Sequence, residues 1–139
     1  MSLEMLLFLN KTRIPDKVNL QNAVDSLGLP FQFDSALDLV SDRGFSPSSL
    51  KGNLSGFEIH GQATQEILPH YPRLSKTVGS RDWTITFRWG SRMSECACVL
   101  AASAAMIKVC DAVAYYPADD IKYTLQRLLD EFQDVLKQV

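Results

Sequence analysis

The chain is short of the residues that announce most functions. It holds two histidines and three cysteines in 139 residues, and 14 basic side chains against 16 acidic ones leave a net charge of −2. That balance supplies no clustered basic face of the kind that nucleic acid or an anionic membrane calls for, so neither is expected as a partner. An odd number of cysteines argues against a disulfide framework in a chain with this much apolar mass. Cys96 and Cys98 stand two apart in a helical stretch, which turns them about 200° from one another and prevents joint chelation of an ion. All three thiols are read as structural. Missing too are a Gly-x-Ser-x-Gly elbow, a Walker loop, a Gly-x-Gly-x-x-Gly turn and a His-Glu-x-x-His pair, which closes the named mononucleotide and metalloprotease routes. No cofactor is expected. The apolar start, Met5 to Leu9, has no basic n-region or small-residue cleavage site and is too short to span a bilayer; the unbroken apolar stretch near residue 100 also falls below the ~20 residues required. The expectation is a cytoplasmic chain.

What the sequence does have is apolar mass in regular patterns. At 46% hydrophobic residues, a chain of this size can bury one sizeable core, and a single α+β domain over residues 1–139 is expected. Its organising stretch runs from Asp82 to Pro117. Trp83, Ile85, Phe87 and Trp89 alternate with Thr84, Thr86 and Arg88, which describes a strand with one buried face and one face in water. Ser91 is placed to cap a helix that is apolar from Cys96 to Ile107 at every position but Ser103, and Ala112 to Tyr116 returns as a strand that Pro117 stops.

Upstream, residues 4–10 read as a central strand without a polar face. Asp16 caps a short helix with Leu20, Val24 and Leu27 on one side, closed by Gly28. From Phe31 to Ser55 the pattern dissolves, and Phe31, Phe33, Leu37, Leu39 and Phe45 read as anchors of a long irregular loop. Asp34, Asp38 and Asp42 lack the spacing of a calcium loop and are read as turn residues. Gly56 to Gln62 alternates as a second strand, and Ala63 to Ser80 is a long connection with a stiff Pro69-His-Tyr-Pro72 turn. Finally Asp119 or Asp120 is expected to cap an amphipathic helix with Ile121, Leu125, Leu128, Leu129, Phe132 and Leu136 as its stripe. The order β-α-β-β-α-β fits a ferredoxin-like antiparallel sheet with an added C-terminal helix, which either covers the open sheet face or extends the helical layer.

If strands 57–62 and 83–89 pair, Glu58, His60, Gln62, Thr84, Thr86 and Arg88 gather on the face away from the helices. This is the surface where polar groups converge; His70 and Tyr71, in the proline-flanked turn, offer a second contact region. An enzyme reading makes His60 a base oriented by Glu58, with Arg88 as an anion anchor, but residues two apart on a strand stand about 7 Å apart, long for a direct hydrogen bond. An ordinary polar sheet face is the simpler account. An RNA-reading sheet needs exposed aromatics, whereas Trp83, Phe87 and Trp89 share the buried side.

Asp42-Arg-Gly-Phe-Ser-Pro47, Gly52, Ser55-Gly-Phe-Glu58 and the alanine-rich helix running into Ala112-Val-Ala-Tyr-Tyr-Pro117 together resemble a group of small bacterial proteins associated with immunity proteins of toxin systems. The resemblance spans most of residues 38–120 and rests on structural signals. It implies a protein that binds and blocks a cognate toxin and carries no catalytic residues. The expectation is therefore a non-catalytic binding protein working through a protein–protein contact, with homodimerisation compatible; the alternative is a small-molecule-binding or hydrolytic domain centred on Glu58 and His60.

Overall fold

The computed structural model describes residues 2–139, which form an α+β fold: one antiparallel sheet of seven strands with helices packed on it. In chain order the elements are β1 (Leu3–Leu9), α1 (Lys17–Ser26), β2 (Phe31–Phe33), β3 (Gly44–Leu50), β4 (Asn53–Ala63), α2 (Ser75–Val78), β5 (Trp83–Trp89), α3 (Met93–Cys110), β6 (Val113–Tyr116), β7 (Ile121–Tyr123) and α4 (Leu125–Leu136). The strands lie in the order β2-β3-β4-β5-β1-β6-β7.

Alternation along the strands decides what each face does. Met5, Leu7 and Leu9 of β1, Ile85 and Phe87 of β5 and Phe57 and Ile59 of β4 point to the side where α1, α3 and α4 pack, and all are buried in one core with Leu20, Val24, Leu128 and Phe132. The alanines of α3 let this helix lie close to the sheet. Its 18 residues are apolar enough to cross a membrane by length and composition, yet the helix is largely enclosed here between the sheet and its two neighbours. Thus α4 extends the helical layer.

Because β1 is apolar on both faces, Leu6 and Phe8 need cover on the far side as well. The chain supplies it with residues 64–78, a run of 3₁₀ turns ending in α2, whose Leu74 and Val78 join Leu6, Phe8 and Tyr115 in a second, smaller core.

The segment from Phe31 to Ser55 is not an irregular loop. It contains β2, β3 and the start of β4, and its anchors Phe31 and Phe33 sit on β2. The strand β3 escapes pattern reading because its alternation is inverted: Ser46 and Ser48 are buried toward the helices, while Phe45 and Pro47 are exposed. Small serines fit beneath α3, where the Ser48 hydroxyl lies 3.4 Å from Cys98 Sγ. The edge strand β2 is blocked by the Gln21 amide, which donates to Phe31 O and accepts from Phe33 N. The aspartates of this region do serve turns, with Asp34 and Asp38 accepting from Ala36 N and Val40 N and Asp42 from Asp38 N.

Two expected caps move. Arg92, not Ser91, is the N-cap of α3, and Glu95 reaches back to accept from Gly90 N at 3.1 Å. Neither Asp119 nor Asp120 caps α4; they lie at a 3₁₀ turn before β7, Ile121 belongs to that strand, and Thr124 caps the helix by accepting from Arg127 N. The expected cap of α1 holds, with Asp16 accepting from Asn19 N at 2.8 Å.

Candidate functional site

Strands β4 and β5 pair antiparallel with Glu58 opposite Arg88, His60 opposite Thr86 and Gln62 opposite Thr84, so these side chains share the face away from the helices. Glu58, His60, Gln62, Thr86 and Arg88 line a shallow, open depression of about 320 Å³ together with Gly44. Thr86 forms its buried floor, and Glu58, His60 and Arg88 stand exposed around it.

The other residues singled out from the sequence lie elsewhere. Thr84 is fully buried, not solvated, and its hydroxyl lies 3.0 Å from that of Thr64, a bond that ties the 64–78 cover to the sheet. Tyr71 packs edge-on against Tyr115 with ring centroids 5.6 Å apart, and burial, then Glu4, pushes its phenol pKa up. His70 is exposed on a 3₁₀ turn of the same cover.

One charge pair on the open face spans two strands, and two further polar contacts border it. The Arg88 guanidinium meets Glu4 of β1 at 3.3 Å, and the Gln62 amide donates to Glu66 at 3.3 Å. His60 Nδ1 lies 3.2 Å from Arg43 Nη1. Arginine only donates, so Nδ1 accepts, which places the ring N–H on Nε2. The partner that orients His60 is therefore a cation and not the Glu58 carboxylate; no hydrogen bond joins Glu58 to His60 among the described residues.

Phe45, on β3 opposite Glu58, is 62% exposed on the same face of the sheet. Its ring lies across Gly56, where a Cβ would come within 2.6 Å of the ring and 2.5 Å of Ser46 O. With φ of +149°, Gly56 occupies backbone space that a side chain strains. The aromatic ring thus covers a bare stretch of β4 while presenting its outer side to solvent. Sequence reading missed Arg43 and Phe45 as site residues because both fell in the supposed loop. The ladder that places Phe45 has Phe45 opposite Glu58, Ser46 opposite Phe57 and Pro47 opposite Gly56.

The thiols lie on the other side of the sheet. Cys98 and Cys110 are buried, Cys96 is partly exposed, and burial first of all pushes both Cys96 and Cys110 up to about 11, far from a reactive thiolate. Among the described residues no three histidine, cysteine, aspartate or glutamate side chains gather as a metal-holding group. Comparison with known protein families and with curated proteins gives no match for this chain.

Proposed function

We propose that this chain is a non-catalytic binding protein that acts in the cytoplasm and grips a protein partner with the open face of β3, β4 and β5; the resemblance noted above makes a toxin the kind of partner to expect. The observation that carries this reading is an exposed aromatic, Phe45, whose cross-strand partner Glu58 belongs with His60 and Arg88 to a depression on the same sheet face. An apolar anchor ringed by polar and charged groups is the anatomy of a protein–protein contact. Against an enzyme reading, Arg43 occupies the position at His60 that a general base would give to an orienting carboxylate. The framework offered for this role is a ferredoxin-like one, widened by β2, β3 and β7. Supporting it are the central order β4-β5-β1-β6, all antiparallel, and the placement of α1 and α3 on one face.

The test is capture from the source lysate with the wild-type chain and with the triple variant Phe45→Ser, His60→Ala, Arg88→Ala. One stoichiometric partner should be retained by the first and lost by the second while both melt alike, and that partner should be toxic when expressed without this chain. Equal retention by the two proteins, or a captured partner protected elsewhere than residues 43–47 and 56–62 in hydrogen exchange, overturns the reading.

A further inference from the structure

A second concavity, of about 340 Å³, opens on the helical side of the sheet at the opposite edge, where β6 and β7 turn up beneath α4. Its size falls in the range of small-ligand pockets. Leu3, Met5 and Leu100 give it an apolar floor, and three aromatic rings, Trp89, Tyr116 and Tyr123, give it walls. Trp89 and Tyr116 are stacked, with centroids 6.0 Å apart and planes 26° from parallel.

The rim is charged and its charges are unevenly satisfied. Glu131 is fully engaged, accepting from the Tyr123 hydroxyl through one oxygen and from Arg127 Nε at 3.2 Å through the other. Arg127 also lies over the Tyr123 ring, 5.5 Å from its centroid. Asp119, at the turn before β7, is an exposed carboxylate on the same rim with no ion-pair partner among the described residues, whereas its neighbour Asp120 is held by Arg73 and Tyr115. Two carboxylates against one guanidinium leave the rim one negative charge in excess.

We propose that this cleft binds a small, flat, apolar molecule carrying one positive charge, an arylalkyl ammonium in chemical class, with the ring against Trp89 and Tyr116 and the ammonium at Asp119. Flat rings pack favourably against aromatic side chains in offset or edge-on geometry, and the unpaired carboxylate of Asp119 supplies the partner for the ammonium. The weak acids of the cleft point the same way. Cys96 is pushed up to about 11, and Tyr116 and Tyr123 are raised, with burial the first cause each time and nearby carboxylates, Glu131 or Asp119, among the others. Burial, the first cause, disfavours any charge inside the cleft, so the ring lies within and the ammonium at the exposed rim, where the smaller contribution of the carboxylates favours a cation over an anion. The site lies on the far side of the sheet from the proposed partner face, so it stands or falls independently of that reading.

The test uses three probes with one ring and three charges: 2-phenylethylamine, 2-phenylethanol and phenylacetate. Each is titrated up to about 10 mM, a range suited to fragments this small, while Trp89 is followed by fluorescence and NMR. The amine should perturb Trp89 and bind about tenfold more tightly than phenylacetate, with the alcohol between them. Asp119→Asn, on an exposed side chain, should remove the advantage of the amine over the alcohol. Val135→Phe, which fills the cleft from its half-buried rim, should weaken all three probes while circular dichroism confirms the fold. The proposal is overturned if the acid binds best, if the amine leaves Trp89 unperturbed, or if the amine keeps its advantage in Asp119→Asn.

Discussion

The two faces of the β4–β5 pair are made by the same residues read alternately, and they have opposite fates. On one side Phe57, Ile59, Ile85 and Phe87 lie under α3, with the Phe57 and Phe87 rings edge-on at 4.8 Å. On the other, Glu58, His60 and Arg88 remain in water. One strand away the contrast vanishes, because β1 is apolar on both sides and Leu6 and Phe8 draw residues 64–78 across the far face. Whether a sheet face is closed therefore depends, strand by strand, on whether its outward residues need burial. The open patch is where that need stops, and it is this boundary that leaves Glu58, His60 and Arg88 exposed.

The sharpest way to break the comparison is to delete a side chain from the helical face. Phe87→Ala removes a ring that is 1% exposed and should cost about 3–5 kcal/mol in urea unfolding, through lost burial and the cavity left behind. The smaller core should give less and give it locally. Leu74→Ala should cost about 2 kcal/mol, because a cover of short 3₁₀ turns can collapse onto the gap better than a helix bedded on a sheet. Amide exchange should then accelerate in residues 67–78 while that of α3 stays near the wild-type rate. If Leu74→Ala speeds exchange in α3 equally, the two cores are one cooperative unit and the distinction between the faces is weaker than drawn.

How far the sequence carries follows from the same boundary. The unit from Asp82 to Pro117 is legible as strand, helix and strand because its alternation sets which residues face the helices and its alanine-rich helix is buried as expected, and the pairing of β4 with β5 follows from their common phase, although Thr84 and Thr86 are buried and Trp83 is only half-buried. In β3 the phase misleads, since close approach of α3 requires small Ser46 and Ser48 inside while Phe45 serves Gly56 from outside. Three-residue strands such as β2 and β7 are too short for a period to show. Missing β7 also shifted the expected start of α4, and with it hid the aromatic cleft. Thr84 and Thr86 read as solvated because no local signal tells that a distant segment, tied down through Thr64, will cover one and that the other will lie between Leu6 and His60 of the flanking strands.

The smallest expected effect is the most telling for function. Arg88 is the best-connected charge of the open face, yet its ion pair with Glu4 is half in solvent, with the two side chains 50% and 36% exposed. Such a pair gains little in high dielectric and restricts two flexible side chains, so Arg88→Ala should change unfolding free energy by no more than about 0.5 kcal/mol. Two neighbours on one strand, Phe87 and Arg88, would then differ in cost by at least about fivefold, although both are part of the same regular ladder. A cost near that of Phe87→Ala would mean that the charged row from Glu58 through Arg88 to Glu4 holds the sheet together, and the face would lose its claim to be free for binding. A negligible cost leaves the row without a structural duty, which is the condition a partner surface must meet.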